Sequence, residues 1–257
     1  MHTQGAPLTL GTERISILLR QYAIPTIIAQ TATSLYNMID SIFIGHGVGP
    51  LALSGLAVTF PLMNLSTAFG TLVGVGAATM ISMRLGQRDY KNAQNILGNS
   101  VLLNVIIGSL FALVAYIFLD PILYFFGASK DTLPYARDYM EILLLGNVIT
   151  HLYFGLNNIL RASGHPKKAM TATIMTVVIN TILDPIFIFG FGWGIKGAAI
   201  ATVLGQLLAL LWQLHFFAKK ENLLHFKKGI YRLKRLIVVP ALSIGVSPFL
   251  MNVASSL

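Results

Sequence analysis

The sequence predicts an all-α membrane protein, a six-transmembrane-helix bundle followed by the truncated start of a seventh helix, and three observations carry that prediction. The 257 residues are 55% hydrophobic and 11% charged, against about 25% charged in an ordinary soluble domain, and mean hydropathy is +0.72. Apolar segments recur at about 16–44, 52–83, 96–126, 137–160, 169–192 and 195–217, each long enough for a span of roughly 20 residues. Lysine and arginine alternate by connector, as they do when loop charge sets membrane orientation.

The alternation runs through the chain in order. Arg14 and Arg20 precede or open the first segment, and Arg84, Arg88 and Lys91 follow the second. Arg161, Lys167 and Lys168 follow the fourth, and the stretch 218–235 carries Lys219, Lys220, Lys227, Lys228, Arg232, Lys234 and Arg235. The opposite side holds only Lys130, Arg137 and Lys196. A cytoplasmic amino terminus in a multi-pass inner (plasma) membrane protein is therefore expected. Met1 to Ile15 contain no apolar run beside a cleavage signature, so no removed signal peptide is expected.

Three units follow: residues 1–217 as the bundle, 218–235 as a basic cytoplasmic linker, and 236–257 as the opening of helix seven. The linker, AKKENLLHFKKGIYRLKR, mixes bases with Leu, Phe, Ile and Tyr, the pattern of a short interfacial helix on an anionic leaflet. The run from Leu236 is still apolar at Leu257 and carries Pro248 early, much as the first span carries Pro25. A second lobe of the same full-length chain is the expected partner.

Several function classes are excluded. There is no Cys, hence no disulfide framework, thiolate metal site or Cys nucleophile. A sequence pI near 9.9 invites a nucleic-acid reading, but the bases cluster in connectors rather than along one helix face; the partners expected are the lipid bilayer and small drug-like molecules, with no nucleic acid. FGTLVGVGAA and FGFGWGIKGAA follow no strand, and Gly70 and Gly74 sit four apart as in small-residue helix packing. No His-Glu-x-x-His spacing exists. The expectation is not an enzyme, with no cofactor beyond a coupling ion.

Two acids lie inside apolar runs: Asp40 in SLYNMIDSIFIG and Asp184 in VVINTILDPIFIFG. A charge at the bilayer centre costs at least about 2.5–3.5 kcal/mol, so a function is expected there. Asn180 and Asp184 are four apart and share a helix face. Pro185 lacks an N–H and clashes with the Thr181 carbonyl, so the helix is expected to open or kink and free backbone oxygen. Carboxylate, amide oxygen and carbonyl suit a hard cation such as Na⁺, or a carboxyl that exchanges protons. Gln30, Tyr36, Asn37 and Asn64 in the first two spans, Asn104, Asn147, Asn157 and Asn158 in the next two, and Thr202 and Gln206 in the sixth are candidate walls of a wet cavity. Tyr36, Met63, Asn157 and Met175 are singled out as substrate contacts, because promiscuous sites use aromatic and Met surfaces that re-pack.

The segments YNMIDSIFIGHGVGPLALSGLAVTFPL, ISMRLGQRDYKNAQNILGNS, ILRASGHPKKAM and NTILDPIFIFGFGWGIKGAAIATVLGQ together resemble the amino-terminal half of the multidrug and toxic compound extrusion (MATE) family, in its prokaryotic branch. The resemblance covers about Leu10 to Arg235. It implies one of two six-helix bundles around a central cavity with alternating access, and secondary antiport in which H⁺ or Na⁺ drives export of amphipathic, mostly cationic compounds. Residue by residue, it implies a coupling site at Asp40, Asn180, Asp184 and Thr202, with Na⁺ possible at the last three, a nearby Tyr at Tyr139, and hinges at Pro25 and Pro185. A lipid-linked oligosaccharide or polysaccharide flippase of the same superfold is the alternative; its cavity calls for bases, and the spans read as holding acids and no deep base. An intramembrane aspartyl protease would need a Gly-x-Gly-Asp pattern that neither Asp40 nor Asp184 has. A channel differs in needing no gradient of one ion to move another solute.

Overall fold

The computed structural model describes residues 14–227 and 229–255; the reading of the first thirteen residues, Lys228 in the linker and the final two residues of the seventh run lie outside them. The described residues form helices with no strand among them: α1 (Ile15–Gly47), α2 (Pro50–Gly86), α3 (Tyr90–Ile117), α4 (Leu119–Phe125), α5 (Leu133–Leu145), α6 (Asn147–Ala162), α7 (Pro166–Pro185), a π-helical turn (Ile186–Gly190), α8 (Gly194–Ala218) and α9 (Arg235–Ala254). In hydrocarbon this is the expected solution, since a helix satisfies its own backbone.

Five elements are long and apolar enough to span: α2, α3, α7 with its π turn, α8 and α9; α5 and α6 together make a sixth. The first predicted span, α1, has 33 residues, ample length, yet it is less apolar than these. Its polar residues have a place to go: Gln30, Thr33, Tyr36 and Asn37 border an internal cavity.

Two predicted spans are broken. Segment 96–126 divides at Phe118 into α3 and the short α4. Segment 137–160 bends by 59° between α5 and α6. Gly146 is the break, and a side chain there would meet both Val203 methyls of α8 at 2.7 Å, so the bend lets α8 press against the chain. Asn147, just past it, donates to the Gly108 carbonyl of α3 at 2.8 Å and accepts from Ser66 of α2 at 2.5 Å. His151, one turn on, is fully buried in the same cluster, 3.4 Å from Ser66 and Asn147.

The two ends of the bundle differ electrostatically. At one, Arg137 pairs with Asp120 (3.1 Å) and Glu141 (2.9 Å), and Lys196 with Asp138 (3.2 Å). Two of the three bases on the sparse side are thereby neutralised. At the other end Asp89 caps α3, accepting from the Asn92 side chain (2.6 Å) and backbone N–H (3.2 Å), which holds its carboxyl below the usual carboxylate range.

Residues 219–227 and 229–234 depart from the interfacial helix expected of the linker. They run as turns and extended chain, with Leu224 and Ile230 buried. The Phe226 ring packs at a tilt against that of Phe217, with centroids 5.8 Å apart, and its N–H bonds the Phe217 carbonyl at 2.8 Å. Asn99, buried on α3, donates to the Ile230 carbonyl (3.2 Å) and accepts from the Lys234 N–H (2.8 Å). Leu224 and Ile230 thus turn onto protein, while Tyr231 and Leu233 stay exposed, and helix formation loses to these bonds. Removing one partner of a buried pair strands the other at about 1–3 kcal/mol. Asn99→Leu should therefore cost roughly that much stability and make proteolysis within 219–234 several-fold faster, with α3 intact by circular dichroism; unchanged cleavage would dismiss the clamp.

Candidate functional site

Three helix-level arrangements bring the polar residues together. Tyr36 and Asp40 are one turn apart on α1, as are Asn180 and Asp184 on α7, so each pair shares a face. At the end of α1, Gly47 leaves room for the π turn, since a side chain there would strike Ile188 at 2.5 Å and Phe189 at 2.7 Å. On α8, Gly197 sits 2.9 Å from the Phe187 carbonyl and Gly205 3.1 Å from the Thr176 carbonyl, measured from where a Cβ would be. These small residues let α8 approach α7 closely enough for Thr202 to reach Asn180.

The result is a buried network. Asn180 Nδ2 donates to Thr202 Oγ1 at 3.1 Å, and the Tyr36 hydroxyl shares a hydrogen bond with the same oxygen at 3.0 Å. The Tyr139 hydroxyl of α5 lies beside Thr202 as well. The Asp40 and Asp184 carboxyls face each other, close enough for one to donate to the other when it holds a proton. Asp40, Asn180, Asp184, Thr202 and Tyr139 are all buried.

Asp40 Oδ1, Asn180 Oδ1 and both oxygens of Asp184 are buried with no hydrogen-bond donor. Four unsatisfied acceptors in one place are costly, and a proton or a hard monovalent cation is the kind of ligand that satisfies oxygen alone. Among the described residues no group of three or more His, Cys, Asp or Glu could hold a metal ion, so the donor set is two carboxyls with amide and hydroxyl oxygen. The expected opening at Pro185 takes another form: the chain widens into the π turn Ile186–Gly190, which absorbs the missing N–H without unwinding. Pro25 lies buried inside α1, which continues through it.

Beside the network is a cavity of about 510 Å³, within the usual range for a small-molecule site. Tyr36 and Thr202 belong both to its wall and to the network, so the cavity is one hydrogen bond from Asn180. Met63 and Asn157 also border it, whereas Met175 does not. Met175 packs instead against the core formed by Ile81, Leu156 and Leu210, because its face of α7 turns toward α6 and α8. Asn104 and Asn158 are likewise absent from the wall: Asn104 bonds the Ser100 carbonyl at 2.9 Å, and Asn158 is held against Gly74. A larger recess of about 730 Å³ is lined by Leu62, Phe69, Leu110, Phe118 and their neighbours; it offers a ligand nothing that orients it.

Sequence reasoning missed three features. The Gly146–Asn147 pair inside an apolar run marks the bend. His151 lies deep in the bundle and fully buried, where a scatter of His mostly at span ends gave no reason to expect one. Arg161, read as a loop charge, stands in the last turn of α6 and also borders the cavity; its position one turn beyond Asn157 was the available signal.

The family model MatE matches residues 25–186. The multidrug export protein MepA of Staphylococcus haemolyticus (strain JCSC1435) is 32% identical over 232 residues, covering 90% of this chain and 51% of that protein. MepA of Staphylococcus aureus (strain MRSA252) is 29% identical over the same shares. Among solved structures, a MOP superfamily transporter from Pyrococcus furiosus, described as having a binding pocket of reverse polarity that suggests a different function, superposes with a TM-score of 0.90 at 28% identity, over 98% of this chain and 55% of that one. A MATE structure in the bent conformation gives 0.89 at 28% identity, over 97% and 55%. The chain spans about half the length of the curated relatives it matches.

Proposed function

The chain belongs to the MatE family, and from that premise we propose that it forms half of a secondary multidrug efflux transporter. The full-length protein would sit in the inner (plasma) membrane with a cytoplasmic amino terminus, close its cavity with a second lobe, and export amphipathic compounds by exchange with H⁺ or Na⁺. The observation carrying this reading is the bond sequence from Tyr36 on the cavity wall through Thr202 to Asn180, beside the unsatisfied oxygens of Asp40 and Asp184. Drug in the cavity and cation on the acids would bias the same hydrogen-bonded group, which is what coupling requires. Names borne by relatives, multidrug export protein among them, agree with it.

Coupling to H⁺ and coupling to Na⁺ make different demands. Asp40 and Asp184 sharing one proton would serve the first; Asp184, Asn180 and Thr202 together offer carboxyl, amide and hydroxyl oxygens for the second. Vesicles of the full-length protein loaded with a fluorescent amphiphile, given an imposed pH gradient in one set and an imposed Na⁺ gradient in another, should show efflux under at least one of them. Efflux at the same rate with no gradient would point to a channel and discard antiport. The flippase alternative draws on Arg161, and polyprenyl pyrophosphate that blocked dye efflux by occupying the cavity would favour it.

A further inference from the structure

The charged residues around the cavity invert the expectation set by a transporter of cations. Neither Asp40 nor Asp184 borders it; both stand behind Tyr36 and Thr202. Among the described residues, Arg161 is the charged one on the cavity wall. Arg161 is half-buried, whereas the neighbouring bases Arg88, Lys91, Lys167 and Lys168 are exposed. Among the described residues no carboxylate pairs with it: Arg84 takes Asp89, Arg137 takes Asp120 and Glu141, and Lys196 takes Asp138. Arg161 follows Asn157 by four residues and Tyr153 by eight, so the three line one face of α6, and all three border the cavity. Asn157 holds α7 through the Ala169 carbonyl at 3.0 Å, while its own Oδ1 is buried without a donor.

We propose that Arg161 is a specificity residue that receives an anionic group, a carboxylate, on the transported amphiphile. The inference rests on the efflux reading above and names a substrate class for its cavity. An unpaired, partly desolvated guanidinium favours a planar carboxylate, which it can grip through two parallel N–H donors. Asn157 Oδ1 is an acceptor one turn deeper for an N–H on the same molecule. A base serving only lipid headgroups would extend into solvent, as the exposed Lys167 does, and would leave the cavity wall to neutral residues.

Rhodamine 110, which carries a free carboxylate, and its methyl ester form a matched pair of probes. Their affinities for the purified full-length protein, read by fluorescence polarisation, give an acid-to-ester ratio. Arg161→Gln should lower that ratio about tenfold or more, and Arg161→Lys, which keeps the charge without the fork, should lower it less. Sodium benzoate should displace the acid and not the ester from the wild type, an arm that stands even if the variants fold poorly. A ratio unchanged in both variants, or benzoate displacing both dyes alike, would overturn the assignment. If instead the ratio responds as expected but neither dye leaves vesicles under a pH or Na⁺ gradient, the efflux reading fails and the anion site stands. Displacement of both dyes by polyprenyl pyrophosphate, with no response to benzoate, would replace the proposal with a lipid-linked cargo.

Discussion

Asp184→Asn in the full-length protein should lose gradient-driven efflux by at least about tenfold while expressing, inserting and melting like the wild type. Both Asp184 oxygens are buried without a donor, and a neutral amide costs less to bury than a carboxylate. Folding therefore has little to lose from the change. Exchange has much to lose, since the amide neither takes up a proton nor offers anionic oxygen to Na⁺. Asp40→Asn should lose most of the efflux as well, because its carboxyl faces that of Asp184. If Asp184 served only to join helices, the order would reverse: poor stability, with transport per folded molecule preserved. Melting temperature and efflux measured on one purified Asp184→Asn preparation separate the two, and undiminished coupled transport in a stable variant would eliminate the assignment.

What was legible beforehand follows from how costs are distributed along the chain. An intramembrane acid is expensive wherever its helix packs, so Asp40 and Asp184 stood out without any knowledge of their neighbours, and four-residue spacing was enough to join Asn180 to Asp184. Their meeting with Thr202 and Tyr36 depends on close helix approaches at Gly47, Gly197 and Gly205, which spacing within one helix does not reveal. Met175 illustrates the opposite failure. A Met suits a core and a drug site equally, and only the rotation of α7 assigns it to the core. Arg161 was concealed by its company: it ends a span among loop bases, and its half-burial on the cavity side is a tertiary fact. The linker had the composition of an interfacial helix, but Asn99, on a helix more than a hundred residues earlier, supplies the bonds that hold it extended.

Gly76→Leu should be the most damaging apolar substitution in the chain. Gly76 on α2 lies directly against the Ala241 carbonyl of α9, and one turn away Gly245 of α9 lies against the Leu72 carbonyl of α2. The contact is reciprocal, and at each point a Cβ would overlap backbone oxygen, not the movable end of a side chain. Helices in lipid associate by close van der Waals packing rather than by excluding water, so holding these two axes apart removes the interaction itself. Overpacking typically costs about 1–3 kcal/mol, and this case belongs at the upper end because backbone has to move. The effect should reach transport too, because Asn64 and Thr67 of α2 and Asn252 of α9 border the same cavity, and separating the helices pulls its wall open. Gly86→Leu is the control: it lies on the same helix, with nothing within 4 Å of the added carbon. The full-length Gly76→Leu protein should melt well below the Gly86→Leu protein in the same detergent and lose gradient-driven efflux. Equal melting temperatures and equal efflux in the two variants would show that α2 and α9 do not pack through these glycines.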